Sequence, residues 1–390
     1  MTVDFISLAI IATIAALVPL VARAIPGRII PETVLLLVAG AVFGPYWLNL
    51  VSVDTTISFI SDLGLAFLFL LAGYEIDPKK IVGRQGLHGL ATWVVTLAIA
   101  ALIIWMSDIV ALGSIEGIVL AVAMTTTALG TLLPILKERN LTGTPIGDGV
   151  LAYGTWGELG PVITMAFLLT TRSTVASAAV LLIMIAICVL MVVFARVIRK
   201  YSNTIFKWIT EGAHTSSQTY VRFTVLLLVL LLAAVSCFEL DIVLGAFAAG
   251  FVLRRIVPDD NETLETKLDG MAHGFFIPLF FVVSGANIDI AAIGTNPLML
   301  IVFIALLLLV RGVPIFASLN IVKESRALSI AQKASVSLYC TTALPLIVAL
   351  TSVATKANAM STEVASVLVA AGAVTVFVMP LLALFSHRKL

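Results

Sequence analysis

Long apolar runs alternate with short polar clusters along almost the whole chain. Thirteen such runs stand at about 3–23, 30–50, 56–76, 85–106, 113–136, 146–170, 174–198, 219–238, 240–256, 269–287, 296–320, 329–355 and 361–386. Most reach the roughly 20 residues that a helix needs to cross a bilayer. The pattern predicts an all-α polytopic membrane protein with 13 transmembrane helices. Connections are brief. The longest, RVIRKYSNTIFKWITEGAHTSSQTYVR, joins runs seven and eight; it is amphipathic and basic and is expected to lie along the membrane surface.

Composition sharpens this picture. Charged residues make up 12% of the chain, hydrophobic residues 61%, and mean hydropathy is +1.14. Soluble domains carry about a quarter charged residues. The net charge of +1 leaves no electrostatic footprint for nucleic acid. Cys188, Cys237 and Cys340 lie in apolar runs at spacings that suit neither a metal site nor a disulfide framework. The first run lacks a basic leader and is too long for a cleaved signal, so it reads as the first span. No Ser–His–Asp set, metal-ligand cluster or phosphate loop is visible. Neither an enzyme nor a cofactor is expected.

Lys and Arg then orient the chain. Taken alternately, one set of loops and helix ends holds twenty basic residues and the other holds two. The positive-inside bias puts the N-terminus outside and the C-terminus on the cytoplasmic side of a cell membrane, and it supports thirteen spans, since a wrong count would scramble it. The remaining basic residue, Arg311, sits deep in PLMLIVFIALLLLVRGVPIFASLN. Glu158, in GTWGELGP, sits equally deep in the sixth run. At about 1.5 Å per residue, each lies roughly 20 Å from its helix entrance, near the middle of the bilayer.

A repeat surrounds these charges. TTAL occurs at Thr126–Leu129 and at Thr341–Leu344, with Pro134 and Pro345 close behind. The copies are seven spans apart and so run in opposite directions, as in an inverted-topology repeat. Clustered Thr and Pro loosen a helix. Thr341, Thr342 and Pro345 therefore mark a broken helix in span twelve, matching one in span five. The bland alternative is that the Thr hydroxyls bond back to their own helix.

Several segments resemble the monovalent cation:proton antiporter-2 family, which includes sodium/proton exchangers of the NapA type and glutathione-gated potassium efflux proteins. They are SDLGLAFLFLLAGYEIDPKK, TTTALGTLLPILKERN, LGAFAAGFVLRR and FFIPLFFVVSGANIDI, in family order. The resemblance implies the sodium/proton antiporter fold, with an inverted repeat and two crossed broken helices. Panel helices 1–3 would occupy 1–84 and core helices 4–6 85–172. A linker helix and cytoplasmic loop would fill 173–218, panel helices 8–10 219–294, and core helices 11–13 295–390. It further implies a homodimer whose core moves elevator-fashion. The sequence departs from the family at span six. Where relatives carry two adjacent polar groups, this chain reads Gly157–Glu158, and the basic position of span eleven is Arg311. No nucleotide-binding regulatory domain is expected after the last span.

An ionised carboxylate in apolar surroundings costs several kcal/mol. Glu158 must pair, take a proton or hold a cation. Burial favours the proton, and a nearby Arg311 favours the charge. One carboxylate shared by proton and cation supports electroneutral 1:1 exchange of Na+ or K+ for H+, with Arg311 as charge partner. Hard cations want oxygen ligands, and Thr126, Thr127 and Thr155 are candidates beside Glu158. Gly154, Gly157 and Gly160 would admit another helix closely. Asp148 could attract cations at the cytoplasmic mouth, Asp62 could do so outside, and His88 or His273 could sense pH. Glu75 and Asp77 read as structural, Glu239 and Asp241 as solvated. Two other functions compete: a carrier of organic anions using Arg311, and a membrane sensor, which would need an output module.

Overall fold

A computed structural model describes residues 5–25, 30–76, 83–107, 114–168, 218–238, 240–257, 262–295, 297–322 and 327–387, with 186, 188–191, 193 and 325. The linker region expected at 173–218, Asp77 with the end of the third-span signature, and Glu239 lie outside the described residues, save for isolated positions of the linker.

The described chain is helical. Helices α1 (Phe5–Ala24), α2 (Glu32–Phe43), α3 (Thr55–Glu75) and α4 (Arg84–Ser107) follow the first four apolar runs. The fifth run is split into α5 (Ile115–Ala123) and α6 (Leu129–Glu138), and α7 (Pro145–Leu168) carries Glu158. Then come α8 (Thr219–Cys237), α9 (Ile242–Ile256) and α10 (Glu262–Met271), which passes through a π-turn at Ala272–Phe276 into α11 (Ile277–Ala286). The short α12 (Ile290–Thr295) precedes α13 (Pro297–Leu307), a π-turn at Leu308–Gly312, and α14 (Val313–Ile321). The twelfth run is again split, into α15 (Ile330–Tyr339) and α16 (Leu344–Lys356), before α17 (Thr362–His387). Among the described residues, eight helices are long and apolar enough to cross a membrane. The tenth run begins earlier as helix than hydropathy suggests, because the polar turns of ETLETKLDGM are helical too. Hydropathy marks apolar length, not helix length.

Two compact units emerge. The first comprises 1–58, 78–165 and 281–390; the second comprises 59–77 and 166–280. In the second unit Arg254 stands over the Tyr74 ring and 3.8 Å from Glu265. Asp241, read from sequence as solvated, instead caps α9 by accepting the Val243 N–H at 2.8 Å.

In the first unit α5 packs on α4 and α16, and α15 and α16 both pack on α17. A buried cluster that includes Leu132, Leu136, Val150, Ile315 and Tyr339 joins α6, α7, α14 and α15. Arg139, at the end of α6, ties it off: its Nη1 donates at 2.8 Å both to the Tyr339 hydroxyl and to the Pro380 carbonyl. Elsewhere in this unit α2 and α11 touch backbone to backbone. A Cβ on Gly40 would overlap the Val282 carbonyl, and one on Gly285 the Leu37 carbonyl.

Neither backbone can yield, so Gly285→Val is expected to destabilise the protein by about 3 kcal/mol. Gly130→Ala, whose new Cβ meets nothing within 4 Å, is expected to be neutral or slightly stabilising. Melting temperatures of the two purified variants check the contrast.

Candidate functional site

The two TTAL copies take the same local form. In each, the first threonine follows the end of a half-helix and donates its hydroxyl to the carbonyl three residues back: Thr126 to Ala123 at 2.8 Å, Thr341 to Leu338 at 2.7 Å. The alanine stands at the N-cap of the next half-helix and the leucine is its first residue. The backbone is non-helical between the halves. Such backbone survives at membrane depth only inside protein, and Thr125, Thr126, Thr127, Thr341 and Thr342 are all fully buried.

The two breaks satisfy each other. Ala128 N–H donates to the Thr342 carbonyl at 2.7 Å, and the Thr127 hydroxyl donates to the Cys340 carbonyl. The two prolines stand differently toward the breaks. Pro345 occupies the first turn of α16, where its missing N–H is free anyway, and Pro134 lies inside α6. In a continuous helix Pro345 would leave the Thr341 carbonyl, four residues earlier and within the break, without its donor, and its fixed φ starts the second half.

A third strand of the joint comes from α7. Thr127 N–H donates at 2.8 Å to the carbonyl of Gly157. In an unbroken helix that carbonyl would accept the N–H four residues on, but residue 161 is proline and has none. Sequence reading passed over Pro161. The available signal was its spacing, four residues after the glycine that precedes the buried acid.

Arg311 lies on the π-turn and is fully buried. The wider turn suits the chain here, because the ring of Pro314 would crowd the Val310 carbonyl in a regular helix. Its Nε and Nη2 each donate to Thr127 Oγ1 at 3.1 Å, and Nη2 donates to the Tyr153 carbonyl at 2.8 Å. All three bonds end on neutral oxygens. Nη1 is buried without a hydrogen-bond partner among the described residues. Thr127 Oγ1 thus donates once and accepts twice, so in this conformation no lone pair is left for a cation. Sequence reading grouped it with the cation ligands; the geometry gives it to Arg311.

Glu158 follows Gly157 on α7 and is 4% exposed. Thr155 lies three residues earlier, half-buried, and donates to the Leu151 carbonyl at 2.6 Å. Thr126 and Thr155 both keep lone pairs that a cation could use, since each hydroxyl proton is already committed. Thr342 Oγ1 is buried with no partner among the described residues. Gly154, Gly157 and Gly160 admit side chains rather than a helix backbone: Leu129 lies against Gly154, Arg311 and Thr127 against Gly157, and Trp93 against Gly160.

A cavity of about 240 Å3 brings together His88, Asp148 and Tyr153, with Gln85 and Ser325 on its wall. A larger, mostly apolar groove of about 710 Å3 runs between α4 and α14 past Arg84, Thr92 and Ser318. The Tyr153 hydroxyl lies 2.9 Å from Ser318 Oγ, to which Thr92 also donates at 2.9 Å. The same Tyr153 therefore borders the cavity and receives Arg311 with its carbonyl. Of the remaining candidates, Asp62 is half-buried within α3, and Glu75 and His273 are exposed.

The sodium/hydrogen exchanger, transmembrane family model matches residues 10–384. Among curated relatives, the chain is 27% identical over 317 residues to the putative Na(+)/H(+) antiporter YjbQ of Bacillus subtilis, covering 77% of this chain and 50% of that protein. It is 24% identical over 267 residues to the probable Na(+)/H(+) antiporter 3 of Methanocaldococcus jannaschii, covering 68% and 67%. It is 24% identical over 287 residues to the glutathione-regulated potassium-efflux protein KefC of Escherichia coli, covering 70% and 44%. The chain thus spans about half the length of the first of these relatives. The structure of the sodium proton antiporter MjNhaP1 from Methanocaldococcus jannaschii at pH 8 superposes with a TM-score of 0.67 at 18% identity, covering 97% of this chain and 98% of that one. That likeness shows the shared helical fold.

Thr127→Val removes the oxygen that receives two guanidinium bonds, and is expected to cost about 3 kcal/mol or more by stranding a buried charge. Thr342→Val removes a hydroxyl that has no partner among the described residues, and is expected to change stability by less than about 1 kcal/mol. Thermal melts of both variants check the difference. A loss of transport in Thr342→Val without loss of stability would mark that hydroxyl as an ion ligand.

Proposed function

The chain belongs to the sodium/hydrogen exchanger family, and from that premise we propose that it exchanges a monovalent cation, Na+ or K+, for H+ at Glu158. The observation that carries the reading is a single carboxylate, 4% exposed, one residue from the joint where both broken helices meet. An acid in such a place must hold a proton, a cation or a counter-charge. Proton and cation exclude each other on it, and that exclusion is what couples their fluxes.

Electroneutral 1:1 exchange follows from the same count. The carboxylate is neutralised by a cation in one direction and by a proton in the other. A guanidinium does not release its proton within the range of such a cycle, and Arg311 is tied to neutral oxygens of the joint. Thr126, Thr155 and Thr342 are the oxygen donors best suited to complete a cation shell beside Glu158. The cavity at Asp148 and His88 serves as the cytoplasmic approach. Thirteen spans in an inverted repeat, an outside N-terminus, the division into core and panel, elevator movement and a homodimer rest on the loop charges and motif resemblance described above. The organic-anion reading asks Arg311 to hold the solute, yet its Nε and Nη2 are already held by Thr127 and Tyr153.

In vesicles holding a pH gradient, Na+ or K+ is expected to release protons through the wild type and not through Glu158→Gln. The rate is expected to be unchanged when the membrane potential is clamped. Persistent exchange in Glu158→Gln would remove the carboxylate from the mechanism, and a clamp-sensitive rate would end the 1:1 proposal. The apparent KM for the cation is also expected to climb with proton concentration, as competition for one site requires. Asp148→Asn is expected to raise that KM about threefold at low ionic strength, with kcat kept and the effect fading in salt.

A further inference from the structure

We propose that Gly157 and Pro161 are positioning residues: together they seat Arg311 and the first helix break against α7, and so set the balance between proton and cation at Glu158. The transport part of this inference rests on the Glu158 reading above; the packing part stands without it.

Two absences on one helix create the seat. Pro161 has no N–H, so the Gly157 carbonyl is left open for Thr127 N–H, which reaches it at 2.8 Å. Gly157 has no side chain, and Arg311 Nη2 and Thr127 Oγ1 fill the space that a Cβ would take. The same helix offers two comparisons. At Gly154 and Gly160 the intruding groups are the side chains of Leu129 and Trp93, which have no polar bonds at the contact. At Gly157 the intruders are a fully buried guanidinium with three hydrogen bonds and a hydroxyl with three of its own. Neither can withdraw without stranding a charge or a backbone group in a dry interior. Even one methyl at 157 must displace Arg311, the Thr127 turn, or α7 itself.

Glu158 is the next residue along. Electrostatic preference for its charged form falls as the guanidinium moves away. A displaced Arg311 therefore favours the protonated form, and the acidic limb of the exchange profile moves to higher pH. A merely structural glycine would lower the amount of folded protein and leave the limb where it was.

The test combines a thermal cycle with transport. Melting temperatures are measured for the purified wild type, Gly157→Ala, Arg311→Lys and the double variant. Exchange by each is followed across pH in reconstituted vesicles. Lysine lacks the Nη2 arm that meets the new Cβ. Gly157→Ala is thus expected to lower the melting temperature strongly in the wild-type background and measurably less in the Arg311→Lys background, where only the overlap with Thr127 remains. Exchange by Gly157→Ala is expected to fall by about tenfold or more, as small misplacements at such sites do, with its acidic limb displaced to higher pH and part of the rate regained in the double variant. Pro161→Ala returns an N–H that competes for the Gly157 carbonyl. It is expected to shift the limb the same way with a smaller loss of rate, and it serves if Gly157→Ala does not fold. Additive melting effects would overturn the seat. An unmoved pH limb in both Gly157→Ala and Pro161→Ala would overturn the link to Glu158. Should Glu158→Gln still exchange, the functional reading falls, and the thermal cycle alone still decides the packing.

Discussion

A guanidinium at membrane depth has no water to rely on, so the oxygens that receive Arg311 dictate what can stand around it. Those oxygens belong to Thr127 and Tyr153. Thr127 sits at a helix break and Tyr153 one turn before Glu158, so a single side chain from the π-turn ties the first break to the acid-bearing helix. The space this needs is supplied by Gly157. Arginine here and the lack of a side chain at 157 are two halves of one steric arrangement.

The breaks follow a related rule. Non-helical backbone exposes N–H and C=O groups that lipid cannot satisfy. Each break therefore finds its partners in the other break or in α7: Ala128 with Thr342, Thr127 with Cys340 and Gly157. The result is a small polar region with every element buried, set next to a buried carboxylate. Under the proposed exchange, a site that releases its ion cannot be as tightly satisfied as this scaffold. The Thr342 hydroxyl, without a partner among the described residues, and the uncommitted lone pairs of Thr126 and Thr155 stand out against it.

Much of this was legible in the chain. Apolar length located the helices, because bilayer thickness sets a requirement that any reader of hydropathy can apply. The repeated TTAL located both breaks, and the depth of Glu158 and Arg311 singled them out. The reading failed where the deciding contact joins residues far apart in the chain. Thr127 looked like an ion ligand because a threonine near an acid usually offers its oxygen; only the arrival of Arg311, 184 residues away, shows that the oxygen is taken. The α7 glycines looked like a helix contact because spacing cannot say what fills the gap.

The sequence by itself determined the class of molecule, the position of most helices, and the rarity of charge at mid-membrane, since all three follow from local composition and from the cost of polar groups in hydrocarbon. Tertiary structure alone decided which oxygens hold Arg311, that Pro161 opens a carbonyl for Thr127, and that Gly157 must stay bare. Those facts depend on where three distant segments meet, and the energy of a buried hydrogen bond is settled by its partner's position rather than by its place in the chain.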